Sequence, residues 1–122
     1  MTWSIGDHGF EMTLATRVPD LLGRHLRPWL VEWLDECALE LGDVASWAIH
    51  PGGPRVLSAI EKALDLSPDA TTVSRAVLAD YGNMSSPTIL FLLKRLRENR
   101  APLPCVALGF GPGLATEATL FR

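Results

Sequence analysis

The pattern that most constrains the fold is a stripe of apolar residues between Asp20 and Leu41. Its members recur every three or four positions and comprise Leu22, Leu26, Trp29, Leu30, Trp33, Leu34, Cys37 and Leu41. This spacing predicts a long amphipathic helix that must bury one face against another layer. Pro19 suits the start of that helix, whereas Pro28 should kink it or divide it in two. Gly42 and Asp43 should end it.

The rest of the chain alternates short apolar runs with helical patterns. Residues 9–16 and 44–49 predict strands, and residues 55–64 predict a helix. Further helices are predicted from Ser67 to Tyr81 and over 88–97, where Ser86 and Pro87 resemble an N-cap and a first-turn proline. Residues 105–110 and 114–121 flank a Gly-Pro-Gly turn and predict an antiparallel hairpin. This order predicts the α/β class, with helices packed on a mixed β-sheet.

Composition excludes several classes of function. The 122 residues are expected to form one domain, since 48% are hydrophobic and 20% charged. A net charge of −3 gives no basis for binding nucleic acid. No apolar run approaches the roughly 18 residues of a membrane span, and residues 1–7 do not resemble a signal peptide. The two cysteines are too few for a disulfide framework, so reduced thiols and a cytoplasmic location are expected.

Two side chains stand in turns where chemistry could take place. His50 follows the predicted strand 44–49 and precedes the turn 51–54, and ligands of open α/β sheets bind beyond the carboxyl ends of strands. Asn83 follows Gly82 just before a predicted helix, a position that favours negative charge nearby. Its amide N–H could donate to an oxygen that becomes anionic. Taken alone, each residue is also compatible with a purely structural turn.

Three sequence motifs resemble those of a known family: residues 47–54 (WAIHPGGP), 81–86 (YGNMSS) and 109–113 (GFGPG). Together and in this order they resemble the C-terminal half of the chalcone and stilbene synthases, the type III polyketide synthases. The resemblance extends over residues 1–122 and is closer to bacterial than to plant members. It implies one half of a thiolase-like fold. The nearest enzyme alternative, the β-ketoacyl-ACP synthase III family, shares the His and the Asn but lacks the phrase His-Pro-Gly-Gly-Pro.

The resemblance also implies a reaction and a set of site residues. His50 and Asn83 would stabilise the enolate formed when malonyl-CoA loses CO₂, and that enolate would attack a thioester derived from an acyl-CoA. The CoA thioesters are substrates, and no cofactor and no metal are implied. The residues implied to contact substrate are Met12, Gly52, Gly53, Arg55, Ser85, Gly109, Phe110, Gly111, Pro112 and Gly113.

The family's nucleophilic cysteine has no counterpart in this chain. Neither Cys37 nor Cys105 matches its motif, and a different enzyme pairing one of them with His50 is the remote alternative. The resemblance therefore implies that a Cys-bearing N-terminal half is supplied in cis or in trans, within a homodimer. The chain alone is expected to condense nothing and to expose an apolar surface where that half docks. A truncated, non-catalytic interaction module is the alternative from another class.

Overall fold

The structure, a computed structural model, describes residues 2–6, 9–13 and 17–122, with side chains described from residue 17 onward except that of Pro112. The first two ranges form an antiparallel hairpin of β1 (Thr2–Gly6) and β2 (Gly9–Thr13). The strand predicted over 9–16 is confirmed over Gly9–Thr13, while residues 14–16 lie outside the described residues. Strand β1 was not predicted, although Thr2 to Ile5 alternate between polar and apolar residues.

The predicted long helix is α1 (Val18–Glu36), and it runs through Pro28 without being divided. The predicted end near Leu41 is wrong, because the backbone closes a Schellman motif five residues earlier. The Leu39 N–H donates to the Leu34 carbonyl, and the Ala38 N–H donates to the Asp35 carbonyl, both at 2.9 Å. Ala38 occupies the left-handed position with φ of 56°, where a glycine would be expected. Gly42 instead lies in a separate 3-10 turn, Leu41–Asp43.

The mixed sheet predicted from the element order is confirmed by three strands. Strand β3 (Ser46–Ile49) runs parallel to β4 (Cys105–Phe110), with Ile49 opposite Leu108. Strand β5 (Thr116–Phe121) returns antiparallel to β4 and completes the predicted hairpin. The predicted start of the last strand at Leu114 is two residues early, because Leu114 belongs to the turn and has φ of 60°.

Three further helices connect the strands. They are α2 (Pro54–Leu64), α3 (Thr72–Tyr81) and α4 (Pro87–Glu98). The helix predicted from Ser67 is in fact two elements, a 3-10 turn over Pro68–Thr71 followed by α3. Helix α4 ends in a second Schellman motif, in which Arg100 takes the left-handed position with φ of 53°.

The sheet separates two apolar clusters, so the described body has three layers. Trp47, Ile49, Val106 and Leu108 point to α1 and α2, whereas the intervening residues Ala48, Cys105 and Ala107 point to α3 and α4. This alternation follows from the two-residue period of a strand. The α1–α2 side carries the large side chains, and the α3–α4 side carries small ones.

A polar cluster joins α2 to α3. The Thr71 hydroxyl donates to the Glu61 carboxylate, and Arg75 forms an ion pair with the same carboxylate at 2.8 Å. Burial acts to raise the pKa of the Glu61 carboxyl, but the hydrogen bonds from Thr71 and Arg75 and the charge of Arg75 outweigh it and lower that pKa.

Two kinds of site are absent from the described residues. None of the helices in this part of the chain is long and apolar enough to cross a membrane. Within the same residues, no three His, Cys, Asp or Glu side chains converge as a metal site would require.

Candidate active site

A cavity of about 570 Å³ opens at the carboxyl ends of β3 and β4. Such an edge is where ligands bind in open α/β sheets, because the strands end there and loops surround the opening. Its lining is mostly apolar with a few polar groups, as is usual for small-molecule sites. The lining residues are Val18, Leu22, His50, Gly52, Val56, Asn83, Ser85, Ser86, Ile89, Ala107, Gly109, Phe110, Gly111, Leu114, Glu117 and Thr119.

His50 is held in the cavity wall by its own backbone. Its N–H donates to the Leu108 carbonyl at 2.8 Å and so extends the β3–β4 pairing by one residue. Its carbonyl accepts the Gly52 N–H at 3.1 Å across Pro51, which turns the chain away. The side chain is half-buried, and burial lowers the pKa of the imidazole below its ordinary value of 6.5. The ring is therefore neutral near pH 7 and keeps one N–H donor.

Of the two glycines that follow His50, only Gly52 lines the cavity. Its N–H already donates to the His50 carbonyl and is not free to donate to a substrate. Gly53 is not among the lining residues. It adopts φ of 151° and ψ of 164°, a region open to glycine alone, and its carbonyl accepts the first N–H bonds of α2. Arg55 is exposed in the first turn of α2, beside the lining residue Val56, and does not itself line the cavity.

The loop before α4 presents Asn83 to the same cavity. The Asn83 Oδ1 atom accepts the Ser85 N–H at 2.9 Å, which leaves the Nδ2 group of the amide as the part that can donate. The Met84 N–H donates to the buried Thr88 hydroxyl at 2.9 Å. Ser85 lines the cavity with φ of 62°, a strained value for a residue with a side chain. Ser86 is the N-cap residue before Pro87, as predicted, but its side chain makes no capping hydrogen bond.

The third motif, residues 109–113, forms the floor of the cavity and the turn that follows it. Gly109, Phe110 and Gly111 line the cavity. A Cβ atom added to Gly109 would meet nothing within 4 Å, so the absence of a side chain there leaves open space. Gly113 lies in the turn with φ of 72° and does not line the cavity. Pro112 begins the same turn, and its side chain lies outside the described ones.

Two residues that line the cavity, Glu117 and Thr119, were not predicted from the sequence. Glu117 and Thr119 lie opposite Gly109 and Ala107 in the β4–β5 pairing, so they share the cavity face of the sheet. Extending the predicted hairpin residue by residue would have found them. Met12 lies in β2, but its side chain is outside the described ones.

Neither cysteine lines the cavity. Cys105 is buried toward α3 and α4, and burial raises the pKa of its thiol despite a hydrogen bond with Ser46. Cys37 follows the last turn of α1 and is half-buried. Among the described lining residues there is no thiol. The imidazole of His50 and the amide of Asn83 are neutral donors that could stabilise an oxyanion, and the remaining polar lining groups are the hydroxyls of Ser85, Ser86 and Thr119 and the carboxylate of Glu117.

Comparisons with known proteins show the family of this chain. The family model described as "Chalcone and stilbene synthases, C-terminal domain" matches residues 1–122. The 1,3,6,8-tetrahydroxynaphthalene synthase of Streptomyces peucetius subsp. caesius is 37% identical over 98% of this chain and 33% of its own length. Polyketide synthase 37 of Dictyostelium discoideum is 31% identical over 97% of this chain and 4% of its own length.

A solved structure shows the same fold. The crystal structure of PKS-I from the brown alga Ectocarpus siliculosus superposes with a TM-score of 0.91 at 30% sequence identity, over 98% of this chain and 34% of that one. The chain therefore spans at most about a third of these relatives. The predicted thiolase-like arrangement of helices on a mixed sheet is confirmed by this neighbour. On the match of all 122 residues, the chain belongs to the chalcone and stilbene synthase family, as a C-terminal domain of the type III polyketide synthases.

Proposed function

We propose that this domain supplies the two oxyanion donors of an acyltransferase that extends an acyl chain with malonyl-CoA. The observation that carries the proposal is that His50 and Asn83, from two loops far apart in the sequence, line one cavity. Both can donate a hydrogen bond without carrying charge: the imidazole because burial lowers its pKa, the amide through Nδ2. Membership of the chalcone and stilbene synthase family supports the same reaction class.

The proposed chemistry places negative charge between these donors. The bond from the malonyl α-carbon to its carboxylate breaks, CO₂ leaves, and the electron pair moves to the thioester oxygen as an enolate. The enolate carbon then attacks a second thioester held on a cysteine, and the cysteine thiolate leaves as the new carbon–carbon bond forms. Losing one donor to such an oxyanion costs about 3–4 kcal/mol, or roughly a hundred- to a thousandfold in rate.

The other residues implied by the family have substrate-binding positions in this proposal. Ser85 and the segment Gly109–Gly111 shape the cavity around the growing chain. Arg55, exposed beside the cavity wall, is suited to a CoA phosphate, because a guanidinium forms strong hydrogen bonds to phosphate oxygens. The remaining residues implied by the resemblance are proposed either to contact the substrate or to shape the loops around it; they are Met12, Gly52, Gly53, Pro112 and Gly113.

The nucleophile belongs to a Cys-bearing N-terminal half, in cis or in trans, and the assembled enzyme is proposed to be a cytoplasmic homodimer. What supports the second half is that this chain matches about a third of the S. peucetius and E. siliculosus proteins. It is also supported by the cavity, which no described thiol lines.

The test is a condensation assay with malonyl-CoA and an acyl-CoA, run on this chain with and without the Cys-bearing half. We expect product only with both halves, and a hundredfold or greater loss for His50→Ala and for Asn83→Ala. His25→Ala, which changes an exposed histidine on α1, is the matched control and should keep full activity. Turnover by the 122 residues alone would refute the assignment of the nucleophile to another half. Full activity of both site variants would refute the role of the donors.

A further inference from the structure

A row of three residues crosses the sheet at the edge where the cavity opens. Ile49 lies opposite Leu108 in the β3–β4 pairing, and the His50 N–H extends that pairing by donating to the Leu108 carbonyl. His50 is therefore level with Gly109, and Gly109 lies opposite Glu117 in the β4–β5 pairing. All three residues line the cavity. The row thus places an imidazole and a carboxylate on either side of a glycine.

The glycine leaves a gap between these two side chains. Neighbouring strands lie about 4.8 Å apart, so the Cα atoms of His50 and Glu117 are separated by roughly 10 Å. A Cβ atom added to Gly109 would meet nothing within 4 Å, so the gap is open space on the cavity floor. Side chains that reach over it from both ends leave room between them for a few atoms of a substrate.

The Glu117 carboxylate has no partner among the described residues. Of the lining residues that the structure describes, only Glu117 carries an acidic side chain, and none is Lys or Arg. The ion pairs in this part of the chain join α2 to α3, join α3 to α4 or lie within α4, and none involves Glu117. The side chain is exposed, so its carboxylate can accept a proton from a molecule in the cavity.

The proposed reaction would produce a substrate for such a pair of groups. Each malonyl unit adds a carbonyl two carbons from the next, so the extended chain contains methylene groups flanked by two carbonyls. The methylene protons are acidic, because the negative charge left behind is shared with the carbonyl oxygens. Removal of such a proton is assisted by a carboxylate base on one side and a hydrogen-bond donor to the enolate oxygen on the other.

We propose that Glu117 is the general base that closes a carbon ring in the extended chain, with His50 donating to the enolate oxygen. This inference rests on the proposed function, which supplies that chain. The methylene C–H bond breaks, its proton moves to a Glu117 carboxylate oxygen, and the electron pair becomes an enolate. The enolate carbon attacks a second carbonyl of the same chain, and the proton passes from Glu117 to the alkoxide oxygen that forms. The carboxylate is thereby restored, and no further reactant is consumed.

The other polar lining groups are less suited to act as this base. The amide of Asn83 and the hydroxyls among the lining residues do not take up a proton near neutral pH. His50 donates to the enolate oxygen in this step and lies across Gly109 from the carboxylate. Glu117 is therefore the lining residue whose side chain combines a proton acceptor with a position opposite the donor.

Product analysis of the assembled enzyme, this chain with the Cys-bearing half, tests the inference. The enzyme receives malonyl-CoA and an acyl-CoA, CO₂ release is measured, and carbocyclic, lactone and open-chain products are separated and identified by mass spectrometry. Glu117→Gln keeps the size of the side chain but takes up no proton, so carbocyclic product should fall about a hundredfold or more while CO₂ release is retained. Glu117→Asp keeps a carboxylate and should restore part of the carbocyclic product. Glu36→Gln, which changes an exposed carboxylate at the far end of α1 from the cavity, is the matched control and should leave the products unchanged.

The outcomes separate this inference from the proposed function. Undiminished carbocyclic product from Glu117→Gln would overturn the inference, as would an unchanged enzyme that releases only lactones and open chains. Loss of CO₂ release in Glu117→Gln, or loss of its co-purification with the Cys-bearing half, would also overturn it, because Glu117 would then support the structure or the interface. All of these results leave the proposed function standing. An unchanged enzyme that releases no CO₂ would instead refute the proposed function, and the inference with it.

Discussion

Replacing Ala38 by glycine should stabilise the protein, although glycine usually weakens a helix. Ala38 closes the Schellman motif after α1 with φ of 56°, where a side chain costs about 1–2 kcal/mol. Glycine removes that cost but adds about 0.5–1 kcal/mol of conformational entropy to be lost on folding. The exposed Ala38 methyl contributes little packing. The net expectation is a gain of about 0.5–1 kcal/mol, or about 2–4 °C in Tm for a domain of this size.

The measurement is urea and thermal unfolding followed by circular dichroism. Arg100→Gly repeats the experiment at the end of α4, where φ is 53° and the side chain is also exposed, and it should shift Tm in the same direction. Ala79→Gly, at an exposed position inside α3, should instead cost about 1 kcal/mol. Equal losses in the three variants would refute the reasoning, because the left-handed backbone would then make no difference.

Three other changes test the cavity and its support. Thr88→Val keeps the shape of a fully buried side chain but removes the hydroxyl that accepts the Met84 N–H. Chemical unfolding should show a loss of about 1–3 kcal/mol in the free energy of unfolding, and no loss would contradict the hydrogen bond. Glu61→Ala should cost about 1–3 kcal/mol at pH 7 by the same assay, because Arg75 loses its carboxylate partner and the buried Thr71 hydroxyl keeps only its 3.3 Å bond to the Pro68 carbonyl. Since the folded-state pKa of Glu61 is lowered, the difference from wild type should shrink as the pH falls below 4.5. The pKa of His50 is lowered in the folded state, so the unfolded chain binds a proton at this residue more readily and the free energy of unfolding falls as the pH drops below 6.5. His50→Gln should make this fall less steep when unfolding is measured over a series of pH values. If the control His25→Gln made it less steep to the same degree, the fall could not be assigned to His50.

Elements whose ends carry a turn signal were predicted to within a residue. Pro54 begins α2 directly after a glycine pair, and β4 covers the predicted residues 105–110. The end of α1 was missed because Ala38 occupies a conformation that sequence reasoning assigns to glycine. The 3-10 turn before α3 was merged with the helix because both share the same apolar spacing. Local patterns record propensity, whereas these ends are set by backbone hydrogen bonds and tertiary packing.

The candidate site was predicted where it lies in short sequence motifs and was missed where it depends on strand pairing. His50, Asn83, Ser85 and the segment Gly109–Gly111 were named from sequence and line one cavity, although their roles stay predictions. Glu117 was missed, because its place on the cavity face follows from its pairing with Gly109 across the hairpin. A residue's neighbour across a sheet is fixed by register, which no single segment of sequence encodes.

The unequal faces of the sheet have a consequence for how this domain can diversify. Large side chains such as Trp47, Ile49 and Leu108 all point to α1 and α2, whereas Ala48 and Ala107 on the opposite face are small. Substitutions in the strands that unfold the domain should therefore concentrate on the first face. The cavity takes part of its lining from the α1–α2 cluster, but Ala107, Gly109, Glu117 and Thr119 line it from the opposite face of the sheet. The cavity can therefore change shape at these four positions without the loss of a large core side chain.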